Sequence, residues 1–388
     1  MRIFVLGAGA TGSYLAHLLV RQGHQVTCGD RDLERAHHFL GKKSKIPVVQ
    51  VNARNHWGIV RAARGSQLLV NASAAVFNEI VLRAALRIRS HYMDLSAHLT
   101  RNPFKAEQLR YDERFKEKKR AAVITAGAAP GLTNLLVARA AAMMDSVEAV
   151  YIRLYESTES DDPVSQWSAE VSFDEAISWP RVVRNGRFKF GKRFGEPEKF
   201  RFPPPIGETT VVLAAQDEVG TIPYFLPLKD MDVKIGGNEI DRLRRWYRQG
   251  KLTRSRGLVA SRFPKTLSPR QVARLIRKGV LQNARFAAAV VVRGVKKDHP
   301  IEVRGDAIFP SLYQIRQRGL ALSPVSYATA HVAALFVKYF PRESAGVFPP
   351  GAIPMENRQA ILKDLRSRGI RVTTKVTRKK LSEDEEEF

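Results

Sequence analysis

Short apolar runs alternate with segments of helical periodicity through the first third of the chain. Residues 2–6 are apolar after the first position and stop at a glycine, which predicts a buried strand. Residues 13–21 (SYLAHLLVR) repeat apolar positions at helical spacing, and residues 25–29 predict a second strand. The alternation continues with a polar helix at 33–40, a strand at 46–51, a helix at 55–63 and a strand at 67–70. Residues 77–88 place Val81, Leu82, Ala85 and Leu86 on one side of a helix. A strand at His91–Asp94, a charged helix at 105–120 and a strand at 121–125 complete the series. Strands separated by helices imply a parallel sheet with crossover connections.

The pattern changes after Pro130-Gly131. A helix is predicted at 133–142, and residues 147–156 alternate like a strand of a different sheet. Further on, 209–215 and 287–295 read as strands and 269–281 as a basic amphipathic helix, while Pro203-Pro204-Pro205 interrupts any regular element. Residues 324–340 return to a helix rich in alanine and aromatics. The chain ends in opposed charge blocks, Arg378-Lys379-Lys380 and then Glu383 to Glu387, expected to be a disordered tail. The expected division is an α/β domain at 1–134, an α+β domain at 135–322, a segment at 323–374 that returns to the first domain, and the tail at 375–388.

Composition narrows the class. The 388 residues are 44% hydrophobic, enough for two packed cores. The single cysteine, Cys28, excludes an intramolecular disulfide framework and a multi-cysteine metal site, and no metal-ligand spacing is read elsewhere. The N-terminal apolar run is too short for a signal peptide, and no stretch reaches the ~20 apolar residues of a membrane span. A soluble, cytoplasmic protein is expected. The net charge of +26 suits anionic partners. The basic residues are spread along the chain without a nucleic-acid-binding motif, so a small anionic substrate and cofactor are favoured over nucleic acid, which stays open. The aromatic-basic stretch at 242–256, with Trp246 and Tyr247, fits a helix that packs its aromatics inward better than a base-stacking surface.

The sharpest local signal is Gly7-Ala8-Gly9-Ala10-Thr11-Gly12. Gly7 permits the turn out of the strand, Gly9 lets a diphosphate approach the backbone, and Gly12 lets the helix pack on the sheet. A diphosphate then sits at the helix N-terminus, where free N–H groups favour negative charge. A strand precedes the motif, a helix follows it, and Asp30 ends the next strand where an acid binds the adenosine ribose. This gives the fold class: α/β, an N-terminal Rossmann doubly wound parallel sheet with a second α+β domain. Asp30 favours NAD; Arg31 beside it suits the 2′-phosphate of NADP. NAD is preferred because the acid repels a phosphate. Cys28 is expected to be a core residue.

Four stretches then carry a family resemblance. They are Val5 to Gly12 with Asp30-Arg31-Asp32, Leu69-Val70-Asn71-Ala72-Ser73, His91-Tyr92-Met93-Asp94-Leu95-Ser96, and Gly127-Ala128-Ala129-Pro130-Gly131-Leu132-Thr133-Asn134. In this order they resemble the saccharopine dehydrogenase family, which includes saccharopine reductases and carboxynorspermidine dehydrogenases. Weaker likeness continues at Glu218-Val219-Gly220-Thr221-Ile222-Pro223 and at Gly346-Val347-Phe348-Pro349-Pro350. Two positions depart from the family pattern: Gly351 stands where an acid is usual, and Ala74-Ala75 where a proline is common.

The resemblance implies an NAD(P)-dependent oxidoreductase that moves hydride at a C–N bond of an amino-acid-derived secondary amine or imine, expected as a homodimer. It places Asn71 and Ser73 beside the nicotinamide and Tyr92 and Asp94 at the cleft. Asp94 is the first candidate for general acid/base and His98 a distant second. Gly131, Thr133 and Asn134 are candidates for holding a substrate carboxylate. Each polar residue has an ordinary alternative: turn chemistry for Asn71 and Ser73, helix capping for Asp94, Thr133 and Asn134. Glu218, beside Asp217, reads as a loop carboxylate more readily than as a catalytic acid. A dinucleotide-binding or regulatory protein without catalysis, and a reductase of C=C or C=O bonds, stay open beside the C–N reading.

Overall fold

The computed structural model describes residues 1–41, 43–162, 164, 166, 173, 175–252 and 267–378. Its first six strands are β1 (Arg2–Leu6), β2 (Gln25–Asp30), β3 (Val48–Gln50), β4 (Leu68–Asn71), β5 (His91–Asp94) and β6 (Ala121–Val123). They lie in the order β3-β2-β1-β4-β5-β6, and every pairing is parallel. Helices α1 (Ala10–Arg21), α2 (Leu33–Leu40), α3 (His56–Ala62), α4 (Asn78–Arg87) and α5 (Asp112–Glu117) connect them. The reversal of strand order between β1 and β4 opens a crevice at the carboxyl ends of the strands, the usual ligand position in such sheets.

The sheet is covered on both faces, which is why its strands read as continuous apolar runs. On β1, Ile3 and Val5 enter one core with Leu15, Leu19 and Val332, while Phe4 and Leu6 enter another with Ile59, Val81 and Leu82. The alternation is the two-residue period of a strand.

The second sheet begins after α6 (Leu132–Ala141). Its strands are β7 (Ser146–Ser160), β8 (Arg181–Arg184), β9 (Arg187–Phe190), β10 (Glu198–Phe202), β11 (Gly207–Leu213), β12 (Asp230–Gly236), β13 (Leu281–Lys296) and β14 (His299–Ile308). The central path is β10-β11-β12-β7-β13-β14, mixed in direction: β12 and β7 are parallel, the other pairs antiparallel. The apolar run of β13 (Ala287 to Val292) is buried because the sheet is covered there by α6.

The late chain serves both sheets. The helix Pro324–Lys338 starts with Ser323 as its cap and Pro324 in its first turn. It is apolar nearly all round and correspondingly buried. It packs on α1, where the Tyr14 hydroxyl lies 3.2 Å from Nε2 of His331. Burial lowers His331 to a pKa of about 3, so the ring is neutral at pH 7. β15 (Gly346–Phe348) then pairs in parallel with β6 as a seventh strand of the first sheet. β16 (Arg371–Arg378) pairs antiparallel with β14 at the edge of the second.

Three expectations need correction. Residues 375–378, placed in a disordered tail, are the end of β16; residues 379–388 lie outside the described residues. The helix at 105–120 is two pieces, a 3-10 turn at Glu107–Tyr111 and then α5, because the buried Glu107 side chain accepts the N–H groups of Thr100 and Arg101 and folds the preceding loop inward. The helix at 242–256 runs at Asn238–Arg248 instead; residues 253–256 are outside the described residues. Trp246 on it is half-buried under the Arg242 guanidinium, and Tyr247 remains exposed.

Candidate dinucleotide-binding site

Gly7 leaves β1 with φ +99°, a conformation side chains disfavour, and a Cβ there would lie 2.8 Å from the Ala72 backbone. A Cβ on Gly12 would lie 1.9 Å from the Gly7 carbonyl oxygen. Both glycines are therefore required by packing. Gly9 differs. It caps α1 with φ −77°, and a Cβ there would meet only the Arg35 guanidinium, 3.9 Å away. The space over Gly9 is open, and the amides of the first turn of α1 have no carbonyl partner within the helix. Such amides could hold an anion at this turn, with Ala10 and Thr11 in the same first turn of the helix. The Thr11 hydroxyl lies 3.5 Å from that of Ser326 on the late helix.

Asp30 ends β2 and is 8% exposed. Its Oδ2 accepts the Ala8 N–H at 2.8 Å, and its Oδ1 accepts the Asp32 N–H at 3.1 Å. The carboxylate thus fixes the glycine turn from behind, and each of its oxygens has further acceptor capacity. Asp32 caps α2 by accepting the Arg35 N–H. Arg31 and Arg35 are both exposed on this side. Arg35 is absent from the sequence-based candidates. It sits one turn into α2, and no spacing rule marks it; only the fold brings its guanidinium to Gly9.

At the end of β4 the polar groups are turned on one another. Oδ1 of Asn71 accepts the Ser73 N–H at 3.1 Å and the Ser73 hydroxyl at 2.5 Å, and its Nδ2 donates to Asn78 Oδ1 at 2.7 Å. Asn78 donates to the Ser96 carbonyl at 2.7 Å. This chain pins the strand end to α4 and to the loop after β5. Asn71 is 1% exposed, and its side chain serves this network; Ser73 is only half-buried. Tyr92 does not reach a cleft. It is fully buried among Val81 and Leu82, with its hydroxyl 3.4 Å from the Asn78 carbonyl. A side chain at its position points into the core opposite α1 because Met93, its neighbour, takes the other face.

Asp94 is fully buried. Its Oδ1 accepts the Thr125 N–H at 2.7 Å and its Oδ2 accepts from Gln108 at 3.0 Å. Burial pushes its pKa up to about 7, against the lowering effect of these donors. It ties the end of β5 to the turn after β6, where Thr125 adopts φ +56°. His98 points elsewhere, toward Glu107.

Thr133 and Asn134, also fully buried, open α6. The Thr133 hydroxyl donates to Glu218 Oε1 at 2.9 Å, and Asn134 donates to the Thr221 hydroxyl at 3.0 Å while its Oδ1 accepts the Gly131 N–H. The two sequence motifs at 127–134 and 218–223 thus meet in one buried polar cluster. Glu218 is fully buried, its pKa raised to about 7 by burial, and its Oε2 has no hydrogen-bond partner. Asp217 beside it accepts the Ala97 N–H at 2.9 Å, and burial raises its carboxyl although Arg181 opposes the shift. The sequence offers Glu218 only as a loop acid. Its meeting with Thr133, 85 positions earlier, is a tertiary event.

No helix among the described residues is long and apolar enough to cross a membrane. Residues 3–123 match the family described as the saccharopine dehydrogenase NADP binding domain. The fold is similar to that of saccharopine dehydrogenase (L-Glu forming) from Saccharomyces cerevisiae, with TM-score 0.67 and 13% identity over 97% of this chain and 99% of that one. Weaker similarity is found to a meso-dapdh variant with DAP from Clostridium tetani (TM-score 0.43, 12% identity, 94% and 99% coverage). A probable dehydrogenase from Thermotoga maritima gives TM-score 0.44 and 11% identity over 96% and 98%. Residues 3–123 are thus similar to the NADP binding domain of saccharopine dehydrogenases, and the fold is similar to that of the yeast enzyme along the length of the chain.

Proposed function

We propose that the chain is an NAD(P)-dependent oxidoreductase that transfers hydride at a C–N bond of an amino-acid-derived secondary amine or imine. The observation that carries the cofactor half is the open backbone at Gly9 between two glycines that packing requires. The first-turn amides of α1 would hold the diphosphate, Asp30 the adenosine ribose, and Arg35 would add charge beside Gly9. Bound there, the nicotinamide supplies or accepts hydride at its C4. The C–N half rests on the likeness to the yeast enzyme, named for saccharopine, and on the sequence motifs.

Oxidising a secondary amine to an imine releases one hydride to the cofactor and one proton from nitrogen. The proton needs an acceptor whose pKa is near neutral. Asp94 and Glu218 are both raised to about 7. Asp94 has each oxygen engaged, whereas Glu218 keeps Oε2 without a partner. We therefore assign the proton to Glu218, in place of Asp94, and give Asp94, Thr133 and Asn134 positioning roles. Ser73 would border the nicotinamide. The arginine-rich surface would attract a substrate bearing several carboxylates.

A specific observation favours a second reading. Tyr92, Asp94, Thr133, Asn134 and Glu218 are all sealed from solvent, which suits a dinucleotide-binding protein without turnover. The test has two steps. NADH and NADPH are titrated against the purified protein by fluorescence. Mixtures of 2-oxo acids with amino acids or polyamines are then screened for nucleotide oxidation. Turnover that falls at least 100-fold in Glu218→Gln, with nucleotide affinity retained, supports the enzyme reading. Binding without turnover of any imine supports the second.

A further inference from the structure

A second cluster of chemical groups lies apart from the glycine turn. Glu79 is in the first turn of α4, His98 is in the loop after β5, and Glu107 opens the 3-10 turn before α5. One donor atom from each lies within 4.8 Å of the others. Nδ1 of His98 is 3.3 Å from Oε2 of Glu107, yet neither atom has a hydrogen-bond partner. The Glu107 side chain is 3% exposed, so water does not solvate that oxygen freely.

Each of the three groups is held from behind. Oε1 of Glu107 accepts the N–H groups of Thr100 at 2.9 Å and Arg101 at 2.7 Å, which aims Oε2 inward. The other ring nitrogen of His98 is 2.8 Å from the Thr100 hydroxyl, which fixes the ring. Oε1 of Glu79 takes the Tyr111 hydroxyl at 3.2 Å and the Arg110 guanidinium. Outer partners that orient an imidazole and two carboxylates toward one point are the usual support of a metal centre. An imidazole with two carboxylates suits zinc or a similar transition metal better than magnesium, which prefers oxygen alone.

We propose that Glu79, His98 and Glu107 bind a divalent cation of the zinc class, with water completing the coordination. The cation would clamp the loop at 95–106 onto α4. That loop also carries the junction with the second sheet: the Ala97 N–H donates to Asp217, and the Ala106 N–H donates to the Gly220 carbonyl at 2.9 Å. Occupancy of the site would therefore stiffen the segment that holds Glu218. The inference concerns metal binding and stands apart from any catalytic activity.

The test is calorimetric titration of zinc chloride into the chelator-treated full chain, without nucleotide, together with melting curves. One zinc per chain and a raised Tm are expected. Affinity should drop at least about 10-fold in His98→Ala and in Glu79→Gln, both of which leave the backbone contacts of Glu107 intact. Anomalous scattering at the zinc edge should mark the three side chains. Absence of zinc binding, or zinc binding unchanged in His98→Ala, would overturn the proposal. Magnesium binding as tight as zinc would overturn the assignment of cation class.

Discussion

Oδ2 of Asp30 accepts the main-chain N–H of Ala8 at 2.8 Å across the gap between β2 and the glycine turn. The acid that ends the second strand thus holds the turn in shape before any nucleotide arrives. Asp30→Ala would leave a buried N–H without an acceptor, at a cost of about 1–3 kcal/mol. Urea denaturation should show that loss. Fluorescence titration should show NADH affinity falling by roughly tenfold or more, since that factor needs only about 1.4 kcal/mol. An Asp30→Ala protein with wild-type affinity would remove the carboxylate from the site.

The glycines of the turn should separate by function. Gly9→Ala places a methyl group in open space at an ordinary φ, so stability should stay within about 0.5 kcal/mol. Nucleotide affinity should nonetheless fall, because the methyl occupies the diphosphate position. Gly12→Ala drives a methyl into the Gly7 carbonyl and should cost about 3 kcal/mol or more. Melting curves and nucleotide titrations on the same two proteins check the contrast. A Gly9→Ala chain that binds nucleotide normally would argue against the site.

The Arg35 guanidinium lies 3.9 Å from the position a Cβ on Gly9 would take. Arg35→Ala should therefore weaken NADH and NADPH by similar factors, each roughly three- to tenfold, as expected for losing one partly exposed charge partner of a diphosphate. Arg31→Ala should weaken NADPH more than NADH. Reversal of these two patterns in parallel titrations would exchange the roles of the arginines.

Glu218 gives a signed pH dependence. In the folded chain its pKa is about 7, raised chiefly by burial, against an ordinary value of 4.5. The folded state binds the extra proton in that window. The contribution to stability is therefore fully present below 4.5 and is lost as pH rises through 7. Glu218→Gln cannot titrate. The wild-type stability measured relative to this variant should decline by on the order of 3 kcal/mol between pH 4.5 and pH 8. Urea denaturation at several pH values measures it, and a pH-independent difference would contradict the assignment.

Much of the first sheet is legible along the chain. The run at His91–Asp94 is a strand as expected, and Asp30 and the three glycines stand where the motif puts them. Local rules suffice there because a parallel strand buried on both faces must be apolar, and the turn geometry admits only glycine at Gly7. Polar residues at strand ends are less legible. Asn71, Tyr92 and Asp94 satisfy their hydrogen bonds within the protein, and nothing in their immediate neighbours distinguishes that from facing a ligand.

By itself, the order of residues determined the alternation of strands and helices, the glycine turn and the acid that follows it. Those features depend on neighbours within a few positions, where periodicity and backbone sterics act. Only the tertiary structure decided that Glu218 meets Thr133, that Arg35 approaches Gly9, and that His98 turns toward Glu107 and Glu79. It also decided that β15 joins the first sheet and β16 the second. The physical reason is distance along the chain. These pairings are selected by burial and by the need to satisfy polar groups in three dimensions, which no local pattern records.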